Sequence, residues 1–337
     1  MKLAIISVSN KGQELAYELK EILDSDSTII KCDLYHKDVK NHFPILFYEY
    51  DAIIAIMASG ILIRSIAPLV ESKLSDPAVV NIDDNGKFVI STLSGHLGGA
   101  NDLAIKISKL INATPVITTS TDVNNKLGID VLARDLYLSI DKPEEILFFN
   151  KSILDGCEIS LTVNPNKNFE YLFEYISNND NEINVSIYYS SKVNLDEILV
   201  SLDEHELILK EKKIVVGIGC RRDKEYEKIH EGFMKTLNEL KILPSRVNLL
   251  ASAEIKKDEK GILELSEQMD IPVEFVEIDK LKLFESNDVS KSEFVYSKFG
   301  IYGVCEPSAL IMAGFGSKLI YKKTSYDGVT ISVAVSG

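Results

Sequence analysis

The sequence predicts two layered α/β domains, N- and C-terminal, joined by a smaller α/β middle region. Three observations predict it. Short apolar runs alternate with helical spacing of apolar residues in both the first and the last third of the chain. Turn residues such as Asp83-Asp84-Asn85-Gly86 and Asp327-Gly328 punctuate those runs. The chain has 337 residues, 45% of them hydrophobic and 26% charged, long enough for two or three cores of an ordinary globular protein. The expected domains are residues 1–134, 135–212 and 213–337.

In the first domain Leu3–Val8 is a strand, and Ser9 or Asn10 caps a helix with Leu15, Leu19, Ile22 and Leu23 on one face. Asp51–Met57 is a buried strand ending at Ser59-Gly60. Val79–Ile82 and Phe88–Ile90 form a hairpin about the Asp83–Gly86 turn. Ala100, Leu103, Ala104, Ile107, Leu110 and Ile111 mark a helix, and Pro115–Ile117 a short strand. The middle region carries a helix over Pro143–Leu154, strands at Glu158–Val163 and Val185–Tyr189, a helix face from Phe169 to Ile176 and a turn over Asn178–Glu182. The last domain opens with strand Ile214–Ile218, followed by a helix presenting Tyr226, Ile229, Phe233, Leu237 and Leu240. Val273–Ile278 is a strand, Glu306-Pro307 opens an apolar helix through Met312, and Leu319–Lys322 and Val329–Val335 close a mixed sheet.

The formal net charge of −14 argues against a general nucleic-acid binder but allows an anionic ligand in a locally basic pocket. The longest apolar neighbourhood, Ala52–Ile63, is too short to span a bilayer, and the N-terminus has the character of a first strand rather than a secretion signal. Cys32, Cys157, Cys220 and Cys305 show neither metal-type spacing nor a disulfide framework, so a reducing cytoplasm is expected.

Five motifs could carry chemistry. Ser94-Gly95-His96-Leu97-Gly98-Gly99-Ala100-Asn101-Asp102 joins a strand to a helix; its glycines admit a ligand to the backbone, and His96 can exchange protons near neutrality. The alternative, a tight turn with a solvated histidine, is less favoured because loops placed this way often hold sites. Gly60 and Arg64 follow another strand, and Arg64 wants either an internal carboxylate or a substrate's. Gly217-Ile218-Gly219-Cys220-Arg221-Arg222 only superficially resembles a dinucleotide fingerprint; its arginines suit an anion clamp or a solvated helix start, and Cys220 is better explained as a small buried residue than as a nucleophile. The run Ala251–Ile262, with Lys257 and Glu259, has the composition of a solvated helix start or loop. Glu306 either caps its helix or serves as an acid or base.

Taken together the motifs resemble those of the cobalt-precorrin-5A hydrolases of the anaerobic cobalamin pathway. The N-terminal likeness lies in Arg64-Ser65-Ile66-Ala67-Pro68-Leu69, Asp76–Val80, Ser94–Asn101 and Pro115–Asp122. The C-terminal likeness lies in Gly217–Arg222, Ser252 through Lys257-Asp258-Glu259 to Gly261, and Val304–Leu310. Asp223 stands where the family usually has glycine, and Pro307 falls in a segment usually rich in alanine. The resemblance implies a hydrolase that opens the δ-lactone of a cobalt-bearing polycarboxylate tetrapyrrole and releases acetaldehyde, giving cobalt-precorrin-5B. Cobalt arrives with the substrate, so no cofactor and no protein metal site are expected. On this reading His96 is the base, Gly98 and Gly99 offer N–H groups to the oxyanion, and Glu306 or Glu259 moves protons. Arg64, Arg221, Arg222 and Lys257 bind carboxylates, with Gly60, Ser94, Gly95, Asn101 and Gly219 shaping the pocket where the terminal domains face each other. A non-catalytic corrinoid carrier and a phosphate- or nucleotide-binding regulatory module are the alternatives. A homo-oligomer and transient contact with neighbouring pathway enzymes remain open, with no nucleic acid or membrane partner expected.

Overall fold

The structure, a computed structural model, describes residues 1–179 and 185–337. Asp180–Glu182 of the expected turn lie outside the described residues. The chain divides into two compact units, Met1–Lys167 with Glu174–Lys210, and Asn168–Phe173 with Glu211–Gly337. Both are mixed α/β, the class read from the sequence.

The first unit opens with β1 (Lys2–Ser7), α1 (Asn10–Asp24), β2 (Lys31–His36), α2 (Val39–Glu49), β3 (Ala52–Ile56), α3 (Ser59–Ile66), β4 (Ala78–Ile82), β5 (Phe88–Leu93), α4 (Ala100–Ile111) and β6 (Thr114–Val116). Its six-stranded sheet runs β2-β1-β3-β4-β5-β6, parallel except where β4 and β5 form the expected hairpin. Alternate side chains fill two cores. Leu3, Ile5, Ile54 and Ile56 pack with Leu19 and Leu23 of α1 and Leu103 and Ile107 of α4. Ala4, Ile6, Ile53 and Ala55 pack with Phe43 and Leu46 of α2 and Leu62 and Ile66 of α3. Burial on both faces explains why these strands are continuously apolar. Ser9 caps α1, its Oγ accepting the Gly12 N–H at 2.9 Å.

The chain continues through α5 (Ser120–Val123), α6 (Ile129–Asp135), β7 (Leu138–Ile140), α7 (Ile146–Leu154), β8 (Ile159–Val163), α8 (Glu170–Asn178), β9 (Val185–Tyr189), β10 (Glu197–Leu202) and β11 (His205–Glu211), all in the first unit except the start of α8, through Phe173, and the last residue of β11, Glu211. A second sheet runs β7-β11-β10-β8-β9. The β10–β11 hairpin was not expected from the sequence, nor were β2 and α2.

The second unit contains β12 (Ile214–Cys220), α9 (Tyr226–Leu240), β13 (Leu249–Ala253), α10 (Lys260–Met269), β14 (Val273–Val276), α11 (Ile278–Leu283), α12 (Glu293–Phe299), α13 (Cys305–Ala313), β15 (Lys318–Tyr326) and β16 (Val329–Val335). Its sheet runs β14-β13-β12-β16-β15, with β12, β13 and β14 parallel and β16 antiparallel to both neighbours. The start of the run expected to be solvated, Ala251–Ala253, belongs to the fully buried β13. Helix α13 lies directly on β12: a Cβ on Gly217 would sit 2.0 Å from the Cys305 carbonyl oxygen.

Candidate active site

The loop between β5 and α4 is folded around contacts that only glycine permits. A Cβ on Gly95 would come within 2.7 Å of Asn101 Oδ1, and one on Gly98 within 2.5 Å of Ser94 Cβ. Ser94 itself takes a left-handed φ of 55°, and its buried Oγ has no partner among the described residues. Arg134 staples the loop by donating from Nη1 to the His96 carbonyl at 2.5 Å while its Nη2 pairs with Asp102 and Asp135.

His96 is held between two carboxylates. Its Nε2 lies 2.9 Å from Asp122 Oδ2 and its Nδ1 3.1 Å from Asp130 Oδ2. Thr121 Oγ1 is 2.9 Å from the same Nε2. The hydrogen bonds to Asp122 and Asp130, opposed by burial, push the imidazole up to about 9. Burial works against ionisation of Asp122 and Asp130 as the largest single cause, but the bonds and charge of His96, with the bonds from Thr119 to Asp122 and Asn150 to Asp130, together hold both below the usual carboxylate range. The two carboxylates therefore favour the protonated ring at neutral pH, a form that has no lone pair for a water proton but can donate one.

Asp122 Oδ2 also accepts from Thr119 Oγ1 at 2.6 Å and Asn101 Nδ2 at 3.1 Å, which leaves Oδ1 outside that network. The Asn101 amide thus orients Asp122 rather than facing a ligand, and its buried Oδ1 has no partner among the described residues. Gly99 is corrected as an oxyanion donor, because its N–H already donates to the His96 carbonyl at 2.9 Å. The Gly98 N–H makes no hydrogen bond among the described residues.

Gly60 and Arg64 are not part of this cluster. The turn before α3 sits at the carboxyl end of β3 and β4, where Met57 N bonds the Ile82 carbonyl and Ser59 Oγ bonds Asn81 Oδ1. Gly98 abuts Ala78 at the opposite end of β4. Four strand residues, about 13 Å, separate the two loops. Arg64 is exposed, lies back over Gly60 and pairs with no acid among the described residues, so the internal carboxylate is not seen.

The second unit gathers the other motifs at the carboxyl edge of β12 and β13, where open α/β sheets bind ligands. Arg222 is already committed: its Nη1 and Nη2 meet Asp258 at 2.6 and 2.5 Å. It is not a free half of an anion clamp. Arg221 and Lys257 are exposed and pair with no acid among the described residues. Glu259 is 2% exposed, accepting from Lys224 N at 3.1 Å and Lys256 Nζ at 3.0 Å. Glu306 is 1% exposed; it accepts from Ser290 N at 2.7 Å and Lys323 N at 2.9 Å. Glu259 joins the β12–α9 loop to the turn after β13, and Glu306 joins the loop at Ser290 to β15, so both carboxylates satisfy buried donors rather than open onto a cleft. Gly219 lets β16 approach, since its Cβ would sit 2.6 Å from Thr330 Oγ1. Burial pushes the Cys220 thiol up to about 11, against a nucleophilic thiolate. Asp223 has a left-handed φ of 56°, which explains the family's usual glycine at that place. A cavity of about 490 Å³ beside Phe284, Leu310 and Phe315 contains none of the expected residues.

The sequence reading marked Thr119, Thr121 and Asp122 only as part of the Pro115–Asp122 motif and Arg134 only as a domain boundary, none with a role in the site, and did not point to Asp130 or Asn150. Asp122 was visible in a motif, but its meeting with a histidine 26 residues away was not.

These loops define a multidomain α/β protein with a histidine–carboxylate cluster in one unit and a cationic sheet edge in the other. Comparison with known proteins places both. Residues 41–122 match the family model Cobalamin synthesis G N-terminal, and residues 214–334 match Cobalamin synthesis G C-terminus. A Methanocaldococcus jannaschii protein named "Probable cobalt-precorrin-5A hydrolase" is 34% identical over 347 residues, covering 99% of each chain. The Priestia megaterium cobalt-precorrin-5A hydrolase is 30% identical, covering 98% of this chain and 94% of its own. A crystal structure of a cobalamin biosynthesis protein G homolog from Sulfolobus solfataricus superposes with a TM-score of 0.62 at 28% identity, covering 100% of this chain and 97% of the other. The chain belongs to the cobalt-precorrin-5A hydrolase family, a family of enzymes. No helix among the described residues is long and apolar enough to cross a membrane.

Proposed function

We propose that this protein hydrolyses cobalt-precorrin-5A to cobalt-precorrin-5B and acetaldehyde. The end-to-end match to relatives of that name carries the reading. Water adds to the lactone carbonyl and gives up a proton, and the ester C–O bond breaks as the departing oxygen is protonated, leaving a carboxylate and the hydroxyl of a two-carbon fragment. That hydroxyl returns its proton as it becomes an aldehyde, its C–C bond to the macrocycle breaks, and the electron pair stays on the conjugated ring until it is protonated. Cobalt is part of the substrate.

The chain's own residues fit these needs in unit one. Asp122 is ionised and its side chain is 37% exposed, so it takes the water proton; His96, its ring 17% exposed beside it, gives a proton to the departing oxygen. The Gly98 N–H is the remaining donor for the oxyanion. Arg221 and Lys257 attract peripheral carboxylates in unit two, and Arg64 does so at the far edge of the first sheet.

Acetaldehyde release from anaerobically prepared cobalt-precorrin-5A tests the reading. Wild type should release it, while Asp122→Asn and His96→Ala should each lose about 10²-fold or more in kcat. Tight binding without release by wild type would make the protein a corrinoid carrier.

A further inference from the structure

We propose that Asp130 and Asn150 are positioning residues for the hydrolase reaction, holding His96 in the orientation and charge state of a proton donor. The catalytic half of this statement rests on the function proposed above; the positioning half does not.

The two carboxylates flanking His96 are not equivalent. The Asp122 side chain is 37% exposed and that of Asp130 is 5% exposed. Asp130 is thus shut away from substrate and from bulk water. A buried carboxylate needs a cation or a full set of donors. Arg134, the nearest arginine in the cluster, spends its donors on the His96 carbonyl, Asp102 and Asp135. The cation that faces Asp130 is the His96 ring, through Nδ1.

Asn150 fixes the other carboxylate oxygen. Its Nδ2 donates to Asp130 Oδ1 at 2.9 Å, and its Oδ1 accepts the Ile129 N–H at 2.9 Å. One side chain of α7 therefore holds both the backbone and the carboxylate at the start of α6. The clamp is tight: a Cβ on Gly128 would lie 2.6 Å from Asp130 Oδ1 and 3.0 Å from Asn150 Nδ2. Asp130 and Asn150 both lie beyond residues 41–122, the span that matches the N-terminal family model. The His96 site is completed by a part of the chain that no motif marks.

The charged and polar groups around the ring are Asp122 and Thr121 on α5, Asp130 on α6, and Arg134 at the ring's own carbonyl, with Asp102 and Asp135 across Arg134. Asp130 in the first turn of α6 could also serve only the helix start. That role would leave the titration of His96 where it is.

The test is ring titration of His96 by NMR in the full chain with labelled histidine, assigned with His96→Asn, alongside the pH profile of kcat. In wild type the ring should titrate near 9. Asp130→Asn should bring it down by about one unit or more, and the alkaline limb of kcat should move with it while KM stays near wild type. Asn150→Ala, which leaves the Asp130 carboxylate present, should shift both in the same direction by less. Identical ring titration in wild type and both variants would overturn the proposal, as would a fall in kcat equal at every pH. If wild type releases no acetaldehyde, the hydrolase reading fails, and the ring titration still decides the positioning role.

Discussion

At the scale of single residues, His96 links the site to folding. Its ring binds a proton more tightly in the folded chain, at about 9 against 6.5 for an ordinary histidine. The stabilisation is therefore fully present below about pH 6.5 and is lost as pH rises through about 9. It is on the order of 3 kcal/mol. Urea unfolding of wild type and His96→Gln should show a difference that shrinks between pH 6.5 and 9; a difference that is flat in pH would mean the two carboxylates do not hold the proton. Glu259 and Glu306 show the limit of reading single residues. A glutamate near a glycine loop looks the same in sequence whether it faces a cleft or caps backbone N–H groups, and here both are buried among donors.

At the scale of elements, the decisive contact in unit two is the seating of α13 on β12. An alanine at Gly217 would force its Cβ into the Cys305 carbonyl, so helix and strand would have to part. Gly217→Ala should lower stability by about 3 kcal/mol or more, seen as a lower urea midpoint with little change in slope. A midpoint within about 0.5 kcal/mol of wild type would show that the helix rides up freely. The doubly covered strands of the first sheet were legible because burial on both faces leaves them continuously apolar. Strand β2, Lys-Cys-Asp-Leu-Tyr-His, was not: it lies at the sheet edge, where polar side chains are tolerated. Strand β13 was hidden because its five small or apolar residues run straight into charged ones. The Ser94–Asn101 loop was legible from its glycines, whereas Asp130 lies 34 residues from His96 and Asn150 a further 20 from Asp130, with no local pattern to announce them.

At the scale of the whole molecule, a net charge of −14 repels a polycarboxylate, so unpaired cations matter more than their number suggests. Changing Arg221 and Lys257 together to alanine should raise KM several-fold, leave kcat nearly unchanged and flatten the dependence of KM on salt. An unchanged KM would remove that sheet edge from substrate binding. The short segment Asn168–Phe173 has a different consequence. It belongs to the second unit although both chain neighbours belong to the first. There Tyr171 donates to Glu211 Oε1 at 2.7 Å and covers Arg246, whose guanidinium carbon is 5.5 Å from the ring centroid. A gene fragment begun at Glu211 would encode every strand of the last sheet and still be short of one stitch, because the aromatic cover of a buried arginine and glutamate is encoded some forty codons upstream. Anyone dividing this enzyme into halves to ask what each can do should begin the second half no later than Asn168.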